Sequence, residues 1–455
     1  MAKYKTYPEY KDSGVEWIDC IPSYWEVKPT FALCDASTQK NIDGAETNVL
    51  SLSYGNIIPR NVETNFGLLP ESFNTYQVIS CGDVILRLTD LQNDKNSLRV
   101  GLAKQKGIIT SAYLKLKANS DINPNFLYRL LHSYDTTKVF YGMGGGLRQS
   151  MKFEDFRRLP LLLPPYEEQI KISAFLDHET AKIDNLIDKQ QQLIEFLKEK
   201  RQAVISHAVT KGLNPDVPMK DSGVEWLGEV PEHWGVSKVK YYCTIKGRIG
   251  FRGYTVQDLV DENEGALVLG ASEMRSDGSI LLSSPQYISW EKYYESPEIM
   301  LDKNMILFVQ RGSTVGKVSF ITHDLGKATI NPSLIVLRDL NICGEFMNYS
   351  LMGPFIQNTV KMQTSSTAIP MISQEQVGNY FQLIPPLNEQ LKIAEFIASN
   401  VSKIDQAINT AEISISLIKE RRTALISAAV TGKIDVRDWV APYTQDVEEP
   451  QEATA

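Results

Sequence analysis

The chain repeats itself, and this repetition constrains its fold more than any other feature. The stretch DSGVEWIDCIPSYWEV at 12–27 aligns with DSGVEWLGEVPEHWGV at 221–236. A second, longer pair of related segments covers 162–213 and 383–434. The residues between these segments differ in the two halves. Long internal repeats indicate a duplicated structural unit, so we predict the order a–X–b–a–Y–b, in which X and Y have diverged.

Each b segment is predicted to form one long helix. The segments open with PPYEEQ and PPLNEQ, and proline followed by acidic residues is typical of a first helical turn. They close at Gly212 and Gly432, and glycine is preferred just beyond a helix C-terminus. No proline interrupts the stretch between these ends. A helix of roughly 45 residues would be about 65 Å long.

Apolar residues recur in both helices at the heptad spacing of a coiled coil. The predicted coiled-coil and partner-docking positions are Ile183, Leu186, Ile187, Leu193, Ile194, Leu197, Arg201, Val204, Ile404, Ile408, Ile415, Ile418, Arg422 and Leu425. Arginine takes the same seam position in both copies, where a polar side chain can fix the register. A helical hairpin or a buried core helix is the alternative. We favour an antiparallel pair, because duplicated elements most simply pair about a pseudo-twofold axis.

The apolar stripe is wider than a two-stranded seam requires. Leu186 and Leu193 in the first helix, with Ile413 and Leu417 in the second, lie beside the seam. Exposed apolar residues on a long helix indicate further partners. We therefore expect helices from another chain to pack here.

The regions X (28–163) and Y (237–383) are predicted to be mixed α and β. Apolar runs such as GDVILRL and NMILFVQRG alternate with turn residues, which is typical of strands. The fold class is therefore α+β, with two pseudo-twofold-related mixed α/β domains separated by two long antiparallel coiled-coil helices. The predicted organisation is a first domain at 1–163 with its repeat segment at 8–27, a helix at 164–212, a second domain at 213–383 with its repeat segment at 217–236, a helix at 384–434 and an acidic tail at 435–455.

Composition argues against several classes of function. The five cysteines include no CxxC pair and no Cys/His cluster, so neither structural zinc nor a disulfide framework is expected. RGSTVGKVS at 311–319 lacks the spacing of a phosphate-binding loop, and no motif for a cofactor or for acid–base catalysis is present. The chain is expected to be non-catalytic. It has no apolar run of 18 residues and no signal peptide, which favours a cytoplasmic location without membrane contact.

The formal charge is unevenly distributed along the chain. The whole chain carries −8, and residues 435–455 contain six acidic residues and one arginine. The region 28–165 has 16 basic and 12 acidic residues. Such a distribution permits a local phosphate-binding face, although the net charge is negative.

The repeated order, with KDSGVEWLGEVPEHW and PPLNEQLKIAEFI, resembles the specificity (S) subunits of type I restriction–modification systems. The resemblance covers almost the whole chain. It implies that X and Y are target recognition domains, that each reads one half of a bipartite asymmetric site in double-stranded DNA, and that the b helices set the spacer between half-sites. It also implies two methyltransferase (M) subunits and two motor-nuclease (R) subunits as partners. The subunit itself would hold no cofactor, because S-adenosylmethionine, ATP and Mg would be bound by the partners.

Side chains that contact DNA are expected on loops of X and Y. Lysine and arginine contact phosphates, whereas arginine, asparagine, glutamine and hydroxyl side chains read base edges. The candidates in the first domain are Ser53, Tyr54, Asn56, Arg60, Arg87, Arg148 and Gln149. The candidates in the second domain are Lys246, Arg248, Arg252, Tyr254, Gln310, Arg311, Ser313, Lys317, Ser365, Ser366 and Thr367. Any single one could instead be a solvated surface residue.

Two other functions are open to a chain with this repeat. A coiled-coil scaffold with two protein-binding heads would show the same repeat but no DNA affinity. A fused restriction–methyltransferase is disfavoured, because no cofactor motif is present. The doubled DSGVEW is expected to belong to the scaffold and to seat each recognition domain against a helix end.

Overall fold

The chain divides into two compact units. The computed structural model describes residues 4–61, 72–89, 91, 98–142, 151, 153–224, 227–250, 253–275, 277–365 and 369–441. Unit 1 consists of Met1–Gln191 and Ile413–Ala455, and unit 2 consists of Gln192–Glu412. Because the boundaries fall inside the two long helices, each helix contributes one part to each unit.

Unit 1 combines short strands with short helices. Its strands are β1 (Tyr10–Val15), β2 (Ile18–Pro22), β3 (Glu26–Pro29), β4 (Cys34–Asp35), β5 (Leu50–Ser53), β6 (Asn56–Pro59), β7 (Gln77–Ile79), β8 (Val84–Leu86), β9 (Val100–Leu102), β10 (Gly107–Ile109), β11 (Leu114–Ala118) and β12 (Pro160–Leu163). Its short helices are α1 (Thr30–Leu33), α2 (Pro124–Thr136) and α3 (Phe153–Phe156). The first long helix, α4 (Tyr166–Lys211), begins in this unit.

Unit 2 has the same kinds of element. Its strands are β13 (Met219–Asp221), β14 (Glu229–Pro231), β15 (Gly235–Lys238), β16 (Thr244–Gly247), β17 (Leu259–Val260), β18 (Gly265–Leu269), β19 (Gln286–Ser289), β20 (Ile306–Val309), β21 (Val318–Phe320), β22 (Ala328–Ile330), β23 (Leu334–Arg338) and β24 (Phe381–Ile384). Its short helices are α5 (Trp290–Tyr294), α6 (Gly344–Met352), α7 (Pro354–Thr364) and α8 (Gln374–Gly378). The second long helix, α9 (Leu387–Val430), begins here.

The two units share a sheet topology. A four-stranded antiparallel sheet has the order β4-β11-β8-β9 in unit 1 and β16-β23-β20-β21 in unit 2. In each unit the strand before this sheet pairs with the strand that leads into the long helix, as β3 with β12 and β15 with β24. The strands β8 and β20 are buried at every position, which explains their continuous apolar sequence. The predicted α+β class with two mixed regions and two long helices is confirmed.

The long helices lie between the Pro-Pro pairs and the two glycines. Each starts directly after the Pro-Pro pair, and the glycine that follows each C-terminus has a positive φ, +77° at Gly212 and +76° at Gly432. Burial along α4 follows the predicted seam, since Ile183 and Ile194 are buried while most neighbouring residues are exposed. In both units the paired stretches of the helices run antiparallel: in unit 2, Arg201 lies beside Asp405 and Gly212 beside Glu389.

The repeated DSGV sequence forms the same turn in both units. The Asp12 carboxylate accepts a hydrogen bond from the Gly14 amide at 2.8 Å, and Asp221 does the same for Gly223 at 2.9 Å. Both glycines have positive φ, +67° and +71°, which glycine adopts without steric cost. The Ser13 hydroxyl accepts a hydrogen bond from the Val15 amide at 3.0 Å, and Ser222 does the same for Val224 at 3.2 Å. The repeat is therefore a structural turn, which agrees with its expected place in the scaffold.

Two continuous apolar stretches of the sequence each divide into two elements. The apolar stretch 49–58 is not one strand but the hairpin β5–β6, because a two-residue turn at Tyr54 and Gly55 reverses the chain. The helical stretch 343–362 is interrupted between α6 and α7 at Gly353, which precedes Pro354 and has extended backbone angles. Among the described residues no helix is long and apolar enough to cross a membrane.

Candidate nucleic-acid interface

A repeated tryptophan seats the domain of unit 1 on the end of α9. A Cβ atom at Gly432 would lie 2.4 Å from Cδ of Pro22 and 3.3 Å from the Trp25 ring, so the glycine allows a close approach. Trp25 is fully buried and its indole donates a hydrogen bond to Glu168. Trp17, from the repeated hexapeptide, instead packs edge-on against Tyr134. The residue that contacts the helix end is therefore the second tryptophan of the repeat.

Unit 2 contains the corresponding contact with different polar partners. The Trp234 ring would lie 3.2 Å from a Cβ atom at Gly212. Glu389 corresponds to Glu168 and binds the His233 ring at 2.8 Å. The Trp234 indole N–H has no hydrogen-bond partner among the residues that the structure describes. The apolar part of the contact is repeated, whereas its hydrogen bonds have diverged.

A repeated glutamine fastens each domain to the start of a long helix. Gln169 is fully buried, accepts a hydrogen bond from the Asn123 amide at 2.7 Å and donates to the carbonyls of Asp121 and Pro164. Gln390 accepts from the Cys343 amide at 2.9 Å and donates to the carbonyl of Pro385. In both units, therefore, a glutamine near the start of a long helix is hydrogen-bonded to backbone groups of the domain.

The seam arginines form ion pairs within their own units. Arg422 pairs with Asp184 at 2.8 Å in unit 1, and Arg201 pairs with Asp405 at 3.1 Å in unit 2. Burial raises the pKa of the Asp405 carboxyl, and the Arg201 charge opposes this shift only in part. Arg201 also donates to the carbonyl of Asp277 at 2.7 Å, which connects the helix to a domain loop.

The candidate surface of unit 1 is centred on the β5–β6 hairpin. Tyr54 lies at its tip with φ of +47°, and its side chain is 83% exposed. Positive φ at both turn residues matches the twist of a two-residue hairpin. Asn56 is exposed and lines a cleft with Lys104 and Arg129. A hydrogen-bonding group and two cations thus lie on one side of the hairpin.

The remaining candidates of unit 1 are less accessible. Ser53 ends β5 and is half-buried, as are Arg60 and Arg87. The backbone carbonyl of Arg87 accepts a hydrogen bond from the buried Arg99 guanidinium at 3.2 Å. Arg148 and Gln149 lie outside the described residues.

In unit 2 the loops after three strands converge. The amides of Gln310 and Arg311, which follow β20, donate to the carbonyl of Ser333. Asn331 follows β22, and its amide donates to Leu269 at the end of β18 at 2.8 Å. Lys317 donates to the carbonyl of Met274 at 3.0 Å, which joins the loop after β18 to the same cluster. The structure therefore brings these sequence candidates together at one edge of the domain.

Arg248 lies inside the domain and not on its surface. Its guanidinium donates to the carbonyl of Ile330 and the hydroxyl of Thr329, and it lies 5.3 Å from the ring centre of Tyr254. Burial lowers the pKa of Arg248 and raises that of Tyr254. A guanidinium held in this way positions the backbone and does not reach phosphates.

The other candidates of unit 2 have varied positions. Lys246, Arg311, Ser313 and Ser365 are exposed, whereas Gln310 is half-buried and donates to the carbonyls of Pro332 and Leu334. Arg252, Ser366 and Thr367 lie outside the described part of the chain.

The structure adds residues that the sequence reasoning missed. Lys104 and Arg129 line the cleft of unit 1, and Glu273 and Asn331 line a polar notch in unit 2. Glu273 and Asn331 follow buried strands closely, and this placement is the signal that could have identified them.

Burial raises the pKa of Cys34 and of Cys243 to about 12, so both remain thiols. No group of metal-ligating side chains occurs among the described residues.

Comparison with known proteins finds similarity to one family. Residues 231–415 match the family model described as Type I restriction modification DNA specificity domain. The MjaVIII specificity subunit of Methanocaldococcus jannaschii is 24% identical over 373 residues, which are 79% of this chain and 81% of that protein. The EcoBI specificity subunit of Escherichia coli is 22% identical over 351 residues, covering 74% of this chain and 71% of that protein.

Solved structures share the fold. One, from work on complex assembly and conformational transition of the type I R-M system, has a TM-score of 0.69 at 17% identity and covers 91% of this chain and 99% of that chain. The HsdS subunit from Thermoanaerobacter tengcongensis has a TM-score of 0.50 at 17% identity, covering 91% of this chain and 98% of that chain. With the repeated scaffold, these findings show that the chain is similar in sequence and fold to the specificity subunits of type I restriction–modification systems.

Proposed function

We propose that this chain selects the DNA sequence on which a type I restriction–modification complex acts. Each unit would read one half of a bipartite asymmetric target in double-stranded DNA. One observation carries the proposal: the two units share the same scaffold, but the residues that follow their matching strands differ. Trp25 and Trp234, with their glycine partners, are equivalent in the two units, whereas the residues after the matching strands differ.

The chemistry at the strand ends supports two different half-sites. After β5, unit 1 has an exposed tyrosine and asparagine on a tight hairpin. After β18, unit 2 has a carboxylate, Glu273, beside the amide of Asn331. Base edges are distinguished by their arrangement of donors and acceptors. Surfaces with different donors and acceptors would therefore select different bases.

The exposed apolar side chains of the long helices support subunit docking. Leu186, Ile413 and Leu417 are 50%, 53% and 60% exposed in unit 1. Leu193 and Phe196 are exposed in unit 2. We assign these positions to contacts with two adenine-methyltransferase subunits, and two motor-nuclease subunits would complete the complex. S-adenosylmethionine, ATP and Mg would be bound by those partners, and this chain would be non-catalytic. The helices would also set the spacer length.

Co-expression tests the proposal directly. The chain and its cognate methyltransferase subunit are produced together, and the host genome is read by a method that detects N6-methyladenine. We expect one bipartite motif that is absent when this chain is omitted. Exchanging residues 28–163 for another family member's domain should change one half-site. The absence of any motif, or a change in both half-sites, would overturn the proposal.

A further inference from the structure

A polar notch in unit 2 places a carboxylate beside an amide. It lies at the ends of the parallel strands β18 and β22, and it is lined by Gly270, Ser272, Glu273, Gln286 and Asn331, among others. Parallel strands end at the same edge of a sheet, so the residues that follow Leu269 and Ile330 meet there. The hydrogen bond from the Asn331 amide to the Leu269 carbonyl fixes this meeting point.

Glycine at 270 permits the close approach. A Cβ atom there would lie 2.4 Å from Nδ2 of Asn331 and 3.2 Å from Oε2 of Glu273. The distance of 2.4 Å is too short for any side chain at position 270. The short Asn331 side chain, which hydrogen bonds hold in place, could not move away to relieve it. Both polar groups therefore border the same small space beside the Gly270 backbone.

Hydrogen bonds fix the orientation of both groups. Oε2 of Glu273 accepts from the Gly270 amide at 2.8 Å, and Oε1 accepts from the Ser272 hydroxyl at 2.8 Å. Oδ1 of Asn331 accepts from the amide and the hydroxyl of Ser333 at 2.9 and 2.5 Å. Because the amide oxygen is taken, Asn331 offers its NH₂ group. The notch thus presents one fixed acceptor group and one fixed donor group.

This pair complements one base in the major groove. Adenine displays a donor at N6 and an acceptor at N7, guanine displays two acceptors, thymine displays an acceptor and a methyl group, and cytosine displays a donor. Guanine would direct its O6 acceptor at the carboxylate, which is unfavourable. Only adenine uses both groups of the notch.

We propose that Glu273 and Asn331 are specificity-determining residues that read an unmodified adenine in the half-site bound by unit 2. Glu273 accepts from the N6 amino group, and Nδ2 of Asn331 donates to N7. This inference rests on the proposed function. Two cations lie near Glu273 in the chain or in space: Arg275 is exposed, and Lys317 donates a hydrogen bond to the carbonyl of Met274. Their positive charge offsets the repulsion between the Glu273 carboxylate and the DNA phosphates.

The first test compares methylation motifs in cells that express the complete complex. Glu273→Gln keeps the shape of the side chain but adds a donor, so we expect one adenine position of the second half-site to accept guanine or thymine as well. The first half-site should not change. Glu291→Gln, at an acidic residue of α5 in the same unit, is the matched control and should leave the motif intact. An unchanged motif for Glu273→Gln, or relaxation in the first half-site, would overturn the inference.

A second test remains informative if a variant assembles poorly. The purified complex is titrated with target DNA in which an adenine of the second half-site is replaced by 7-deazaadenine, which lacks the N7 acceptor. Each adenine of that half-site is tested in turn. We expect the wild-type complex to lose roughly fivefold or more in affinity, and Asn331→Ala to bind both DNAs equally. Equal binding of both DNAs by the wild-type complex would overturn the contact. If the wild-type complex yields no bipartite motif at all, the proposed function itself fails, which separates the two outcomes.

Discussion

The guanidinium of Arg422 forms two hydrogen bonds with the carboxylate of Asp184, at 2.8 and 3.2 Å. In the repeat, Arg422 corresponds to Arg201 and Asp184 corresponds to Asp405, and these two residues pair in unit 2. The arginine comes from α9 in one unit and from α4 in the other. Each unit therefore holds the same ion pair with the roles of the two helices exchanged.

Exchanging the charges of this pair tests whether it fixes the helix register. Asp184→Arg and Arg422→Asp should each lower the free energy of unfolding, because like charges then face each other across the seam. The double variant should recover part of the loss. Both residues are partly exposed, so the coupling should be about 0.5–1 kcal/mol. Denaturant unfolding of all four proteins measures it, and strictly additive losses would contradict the pairing.

The glycine beneath Trp25 is expected to be intolerant of any side chain. Gly432→Ala places a Cβ atom 2.4 Å from Pro22 and requires a non-glycine residue at φ of +76°. The backbone cost alone is about 1–2 kcal/mol, and overpacking adds about 1–3 kcal/mol. The loss in free energy of unfolding, measured by thermal unfolding, should equal the sum of the backbone cost and the overpacking cost.

Gly14→Ala separates these two causes. Gly14 has φ of +67° and no atom within 4 Å of an added Cβ. We expect this control to show only the backbone cost. Equal losses for the two variants would mean that the contact with Pro22 and Trp25 relaxes freely.

The buried glutamine at the start of α4 is expected to stabilise the junction between domain and helix. Gln169→Leu removes three hydrogen bonds and leaves the Asn123 amide and two carbonyls without this partner. Each unsatisfied buried group costs about 1–3 kcal/mol. Gln192→Leu, at an exposed position of α4, is the control and should change stability by less than about 0.5 kcal/mol. Comparable losses for both variants in denaturant unfolding would contradict the anchoring role.

The helices could be predicted from the sequence because their information is local. Heptad spacing identifies Ile183 and Ile194 as buried, and Pro-Pro and glycine mark the helix ends. The partner of each seam arginine was not predictable, because it depends on which residue of a distant helix lies opposite. Arg248 shows the same limit, since its burial depends on Thr329 and Ile330 from a strand about 80 positions away. The notch at Glu273 likewise requires knowledge that β18 and β22 are parallel neighbours.

The exposed apolar residues of unit 1 offer a test of subunit docking. Leu417→Glu replaces a 60% exposed side chain with a charge, so the fold should be retained while methyltransferase binding weakens. If Leu417 is a hot spot of the interface, its loss costs about 2 kcal/mol or more of binding energy, which corresponds to roughly 30-fold in affinity. Affinity for the purified methyltransferase subunit measures the effect. Lys419→Glu, also exposed on α9, is the charge-changing control. Unaltered binding by Leu417→Glu would exclude this position from the contact.

A buried histidine in unit 1 predicts a particular dependence of stability on pH. Burial, with the positive charges of Arg129 and Arg422, lowers the pKa of His132 from 6.5 to about 4, and its Nδ1 has no partner among the described side chains. The unfolded chain therefore binds a proton that the folded chain does not, and stability falls as pH decreases from about 6.5 to 4. The full loss amounts to about 3 kcal/mol. His132→Phe should flatten this part of the profile of unfolding free energy against pH, and an unchanged slope would show that His132 is protonated in the folded protein.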